Sequence, residues 1–236
     1  FENGMVVSCP KRAIAIDRLG PIDVVVVSHR HPDHFDLPSL DLLSRDCQVV
    51  CATDPLLLYA LRALGFAHLT PMDPHSAMTS REAELFPTRS ENASVRECGM
   101  VVRDGSAVFW NQVDTELCRD TIAEVKRRYG RLDLLFAMYA SQNFDFFESL
   151  AGEFPWESHR RNLQNALSIA PRLLVPASAG FRFAGEHAWL NPFLFPVSRE
   201  RWAEDLRALD GGIPVALLDP GDQVLLGGGE PRVARA

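Results

Sequence analysis

Ser28-His29-Arg30-His31-Pro32-Asp33-His34-Phe35-Asp36 places three of the chain's seven histidines and two carboxylates within nine residues. Neutral imidazole nitrogen and carboxylate oxygen are the donors that zinc, iron and manganese accept, so the cluster reads as a metal site. The strand signal Ile22 to Val27, with four consecutive valines, precedes it. A strand sends alternate side chains to opposite faces, so His29 and His31 point the same way if the strand persists that far. Pro32 cannot continue a ladder and favours a turn. Asp33 and His34 then fall on a turn or helix start, where neighbouring side chains diverge. One aligned pair of ligands followed by a divergent pair suits two cations better than one. The competing reading is a polar strand end carrying solvated histidines, and the density of the pattern weighs against it.

Two dications about 3.5–4 Å apart repel strongly unless an anion bridges them. Asp114 is the best candidate: the apolar strand Val108-Phe109-Trp110 runs into Asn111-Gln112-Val113-Asp114-Thr115 and so ends in a carboxylate. Its alternative role is the N-cap of a helix beginning near Thr115.

The segment from Val24 to His34 resembles the signature of the metallo-β-lactamase superfamily. The resemblance implies an α/β fold, the αββα sandwich, with the site at one edge of its two sheets. It also implies that His29 and His31 serve the first metal and Asp33 and His34 the second. Val113-Asp114-Thr115 looks like the superfamily's Gly-Asp-Thr element, with Val113 in the glycine position. Two departures stand out. Phe86 to Gly99 has no histidine where the superfamily supplies one; Glu91 falls near that place, with Glu97 as the alternative ligand. Glu91 could instead pair with Arg89 or Arg96. Leu173 to Gly180 also lacks the superfamily's last histidine; His187, a few residues on, could swing in as a ligand or contact the substrate, or else cap a helix end or lie on the surface. His68, His75 and His159 read as non-ligands.

A glutamate for a histidine and a missing late histidine resemble the diiron oxygenases on this fold, such as β-hydroxylases of carrier-bound amino acids. The segment Val175 to Phe183, with Leu190-Asn191 and Phe195-Pro196, looks like the metal domain of CMP-N-acetylneuraminic acid hydroxylase-like proteins. This implies two iron ions held by His29, His31, Asp33, His34, Glu91 and Asp114, with O2 activation, a small-molecule or carrier-bound substrate and an electron-donor protein. More oxygen ligands favour iron or manganese over zinc. The alternative is a dizinc or dimanganese hydrolase of an ester, thioester, amide, lactone or phosphodiester, in which Asp33 orients the nucleophile and Asp114 bridges. A third reading is a non-catalytic metal-stabilised scaffold. Arg182 could bind an anionic substrate group or pair with Glu186.

The chain has 236 residues and a net charge of −7. That suffices for one α/β domain over residues 1–236, and no linker divides it. An acidic surface argues against sequence-independent binding to nucleic acid or anionic lipid. No apolar run approaches the roughly 20 residues of a membrane span. Five cysteines, an odd number without a Cys-x-x-Cys pair, point to the reducing cytoplasm. Only 28 residues precede His29, and Phe1 is not a start methionine, so an upstream region is expected.

The elements that must position these groups alternate strand and helix. Strands are expected at Met5 to Val7, Ala13 to Ile16, Ile22 to Val27, Gln48 to Ala52, Glu84 to Phe86, Ser94 to Arg103, Ala107 to Trp110, Leu132 to Met138, Leu173 to Val175, Val215 to Leu218 and Gln223 to Leu226. Helices are expected at Leu37 to Leu43, from Asp54-Pro55 through Leu64, and at Asp120 to Tyr129, Pro155 to Ala170 and Glu200 to Leu209. Pro176 to Gly180 reads as a loop, and residues 227–236 as a frayed tail.

Overall fold

Four consecutive valines and the run Val49-Val50-Cys51-Ala52 lack polar alternation, the pattern of strands covered on both faces. They form β2 (Val24–Val27) and β3 (Gln48–Ala52), which with β4 (Leu69–Met72) make a parallel three-stranded sheet in the order β2-β3-β4. The computed structural model describes residues 5–8, 19–105, 107–141, 143, 150, 153–178, 181–227 and 229–236. α1 (Leu37–Asp41) follows β2, and α2 (Pro55–Ala63) follows β3. Asp54 caps α2, accepting from the amides of Leu56 and Leu57 at 2.9 and 3.3 Å, with Pro55 in the first turn. Leu40, Leu57 and Leu61 bury against Val27, Val49 and Cys51.

A second sheet has six strands in the order β10-β9-β8-β7-β6-β5. These are β5 (Met78–Ser80), β6 (Ala83–Arg89), β7 (Cys98–Asp104), β8 (Ala107–Asn111), β9 (Leu134–Met138) and β10 (Leu173–Ala177). Alternation sorts their side chains between two faces. Phe86, Val101, Trp110, Leu135 and Leu174 share one core with Ile122 and Val125 of α3 (Arg119–Tyr129), Leu163 and Ala166 of α4 (Trp156–Ile169), and Trp202 and Leu206 of α6 (Arg199–Leu209). On the opposite face Leu85, Cys98 and Met100 meet Val50 and Met72 of the small sheet. Helix, sheet, sheet and helix therefore stack in the expected αββα order. At the β8–β10 end, Leu134, Leu173 and Val175 are covered by Leu218, Val224 and Val233.

The expected strand Gln48 to Ala52 coincides with β3, and the helices at 54–64 and 155–170 match α2 and α4 to within a residue at each end. Pro176, expected in a loop, lies inside β10 opposite Ala137; β10 is an edge strand, where proline's missing donor is harmless. β7 begins at Cys98 rather than Ser94, because the Asn92 side chain accepts from the Ser94 amide at 3.0 Å and turns the chain. The expected frayed tail is corrected: Arg232–Ala234 form β13, antiparallel to β12 (Gln223–Leu225). β4, β5 and β11 (Phe181–Phe183), which pairs with β1 (Val6–Ser8), had no strand signal of their own. The 3-10 turn Gly185–Leu190 and α5 (Asn191–Leu194) follow β11. The expected strand Ala13 to Ile16 and Cys9 lie outside the described residues.

Candidate metal centre

The ladder of β2 stops at Val27, and the next carbonyl, Ser28, accepts from the Cys98 amide at 3.3 Å. The histidine segment is thereby anchored to the start of β7. After Pro32 the chain turns, with the His31 carbonyl accepting from the amides of His34 and Phe35 at 2.9 and 2.8 Å. Asp36 then caps α1 by accepting from the Ser39 amide at 3.0 Å. A strand end, a proline turn and a cap thus come within nine residues. His29 Nε2 and His31 Nδ1 lie 2.8 Å apart with the rings edge to face, so the aligned pair converges. His34 Nε2 stands 3.4 Å from Asp33 Oδ2.

Asp114 arrives from the other sheet. Gln112 is buried beyond the end of β8; its side-chain oxygen accepts from the Met138 amide at 3.1 Å and its nitrogen donates to the Thr115 carbonyl at 3.0 Å. Thr115 Oγ1 donates to the Gln112 carbonyl at 2.6 Å. Between them Val113 is forced to φ +58°, and its amide donates to Asn111 Oδ1 at 3.0 Å. This sharp turn places Asp114 Oδ2 3.7 Å from His29 Nε2 and 3.5 Å from His34 Nε2. One carboxylate therefore touches both halves of the histidine motif. α3 starts only at Arg119, with Cys118 as its N-cap, so Asp114 does not cap it.

The donor set fits a cation. The ligand atoms of His29, His31 and Asp114 all lie within 4.8 Å of one another. Asp114 Oδ1 is buried without a hydrogen-bond partner, an arrangement that is costly for a carboxylate unless a positive group meets it.

Burial dominates His29 and pushes its pKa down to about 4, against the attraction of Asp114. The ring is therefore neutral at neutral pH, the form a metal accepts. Burial acts on His34 in the same direction, but hydrogen bonds to Asp114 and Asp33 outweigh it and raise the pKa to about 9. Burial alone would raise Asp33 and Asp114, yet His34 holds both below the usual carboxylate range. The Ser28 hydroxyl lies 3.1 Å from His29 Nδ1 and 3.4 Å from His34 Nδ1, and so orients both rings from behind.

The structure thus gathers His29, His31, Asp33, His34 and Asp114. Glu91, expected as a ligand, is not among the donor atoms that cluster with His29, His31 and Asp114; its amide donates to the Glu116 carbonyl at 2.8 Å. Its carboxylate is 44% exposed and faces Arg89 Nε at 3.6 Å. Glu97 is buried and accepts from Ser90 Oγ and Asn92 Nδ2, the residues on either side of Glu91. Burial, assisted by the Asp114 charge, raises Glu97 to about 7. Arg182 is exposed on β11, and His187 lies in the 3-10 turn with Nε2 3.7 Å from Glu186 Oε1. His75 stacks on Phe86, and buried His159 contacts Asp205 at 3.0 Å. Sequence reading missed Ser28 and Gln112. Ser28 was readable as the residue that precedes the first histidine, but nothing local marked Gln112, whose partners lie on β9 and beyond the turn.

The chain matches the family model of the beta-lactamase superfamily domain over residues 6–152. Among solved structures it is similar to CmlA, a diiron β-hydroxylase from Streptomyces venezuelae, at 17% identity and a TM-score of 0.60. That match covers 92% of this chain and 45% of CmlA, so the chain spans less than half of that protein. The isothiocyanate hydrolase from Delia radicum gut bacteria aligns at 15% identity and a TM-score of 0.60, over 89% of this chain and 78% of the hydrolase. A possible metal-dependent hydrolase from Veillonella parvula aligns at 12% identity and a TM-score of 0.62, with the same coverages. No curated protein matches. Identities this low carry the fold and not the reaction. With the family model spanning well over half of its length and the αββα layers in place, the chain belongs to the β-lactamase superfamily.

Proposed function

We propose that the chain is the metal-bearing part of a dinuclear iron oxygenase. His29, His31 and Glu91 would hold one ion, Asp33 and His34 the other, and Asp114 would bridge them. One observation supports iron over zinc: the motif supplies three imidazoles and the remaining donors are carboxylates. No histidine occurs between His75 and His159, and oxygen-rich ligation favours iron or manganese. Bound as a pair, such ions would supply O2 activation for attack on a C–H bond, with electrons from a donor protein.

The chain's own residues do the positioning. His29 presents a neutral nitrogen without first losing a proton. Ser28 fixes the orientation of both neighbouring rings. Gln112 and Thr115 hold the turn that aims Asp114. Glu97 brackets Glu91 by accepting from Ser90 and Asn92.

A hydrolase is the second reading, favoured by the two hydrolases that align as well as CmlA does. There the ions would supply Lewis acidity, and Asp33 would orient the attacking water. Metal analysis of protein purified without added metal separates the two. About two irons per chain, with O2 uptake that depends on a reductant, is the expected result. Stoichiometric zinc with esterase or phosphodiesterase activity would replace the oxygenase by the hydrolase.

Among the described residues, no helix is long and apolar enough to cross a membrane. We place the protein in the cytoplasm on its cysteine content, with a small-molecule or carrier-bound substrate.

A further inference from the structure

A cleft of about 780 Å³ opens beside the histidine segment, at the carboxyl ends of β3 and β4. Open parallel sheets bind ligands at this end of their strands. Three arginines line it, Arg30, Arg89 and Arg96, in a chain whose net charge is −7. Arg30 is the residue between His29 and His31, and Ser90 and Asn92 flank Glu91, so the cleft adjoins the segments that carry the proposed ligands, although none of those ligands itself lines it.

These guanidinium groups are incompletely neutralised. Arg96 Nη1 donates to the Thr53 carbonyl at 2.7 Å and meets no carboxylate among the described residues. Arg30 Nη1 is 3.4 Å from Asp54 Oδ2, and Arg89 Nε is 3.6 Å from Glu91 Oε1. Charge-assisted pairs close to about 2.7–2.9 Å, so both contacts leave donors available. Asp54 is partly committed elsewhere, because its Oδ1 caps α2. Asp73 also lines the cleft, and its Oδ1 accepts from Thr53 Oγ1 at 3.2 Å. Each arginine offers five N–H donors in a planar fork suited to an oxyanion.

We infer that this cleft receives an oxyanion group of the substrate, a carboxylate or a phosphate, held by Arg96 and Arg30, and so presents the rest of the molecule to the metal pair. The assignment rests on the dinuclear reading and adds the substrate class to it. Arg182, the arginine singled out in the sequence, does not line the cleft.

The test is calorimetric titration of metal-loaded protein with phenyl phosphate and with benzoate, using benzyl alcohol as the neutral control. At least one anion should bind and the alcohol should not; which anion binds separates phosphate from carboxylate. Arg96→Gln and Arg30→Gln should each weaken binding by about tenfold or more, the loss of one charge-assisted hydrogen bond. Arg182→Gln should bind as the parent does. Circular dichroism and metal content are measured on the same samples. Absence of anion binding by folded, metal-loaded protein would overturn the cleft assignment, as would unchanged binding in both folded cleft variants. Parent protein unable to take up metal would instead overturn the dinuclear reading.

Discussion

His34 Nε2 lies 3.5 Å from Asp114 Oδ2, a contact that joins the loop after β2 to the turn after β8. Asp114→Ala should therefore bind at least one metal ion fewer per chain, measured by plasma mass spectrometry. Full metal content in this variant would show that the bridge is misplaced. In metal-stripped protein, Asp114→Asn should lower the His34 pKa from about 9, followed by NMR of the imidazole ring.

The two rings set opposite conditions for metal uptake. His34, at about 9, keeps a proton at neutral pH that must leave before the ring can bind a cation, whereas His29, at about 4, has none to lose. Uptake near neutral pH should release about one proton, and apparent affinity should rise about tenfold per pH unit until His34 is neutral. Calorimetry in buffers of different ionisation enthalpy measures this. Without metal the sign reverses. A pKa raised on folding from 6.5 to about 9 stabilises the stripped protein fully below pH 6.5 and is lost as pH rises through 9.

Val113 is β-branched yet sits at φ +58°, where a side chain crowds its own backbone. Val113→Gly should raise stability by roughly 0.5–1 kcal/mol while keeping the metal, as read from urea denaturation and metal content. Destabilisation would mean that contacts of the valine side chain outweigh the strain.

Gly99 has no room for a methyl group. A Cβ there would lie 2.5 Å from Thr88 Oγ1 and 3.1 Å from the carbonyls of Asn111 and Gln112. Thr88 accepts from the buried Trp110 indole at 3.2 Å and cannot yield freely. Gly99→Ala should cost roughly 1–3 kcal/mol and weaken metal retention, because the displaced carbonyls lead into the Asp114 turn. Unchanged melting and metal content would show that the strand can shift.

Glu91 and Glu97 divide a loop between them. Glu91→His should move metal preference from iron toward zinc, whereas Glu97→Gln should keep the metal, since a neutral amide oxygen still accepts from Ser90 and Asn92. Competition between the two metals, read by mass spectrometry, distinguishes ligand from support. An unchanged preference in Glu91→His would remove that residue from the site.

What was readable in advance follows the range of the forces involved. His29 to His34 announced themselves because ligands, strand and turn are adjacent in sequence. Asp114 was legible through the apolar strand that ends just before it. β4 and β5 were not, since each is held by a neighbour's register rather than by its own pattern; Pro71 even interrupts β4, which is tolerated on an edge. β13 was hidden among glycine and arginine because its pairing with β12 crosses a turn. The exposure of Glu91 and the burial of Glu97 depend on how one loop folds over Ser90, and periodicity carries no such information.

The ligands come from opposite halves of the sandwich: four from the small parallel sheet's edge, and Asp114, with Glu91 in the proposed set, from the mixed sheet. Cations gripped there would act as a clasp across the seam marked by Val50, Met72 and Met100. Loaded protein would then melt as a single body. Chelation would free the smaller half to breathe first, tying the lifetime of the fold to the supply of metal.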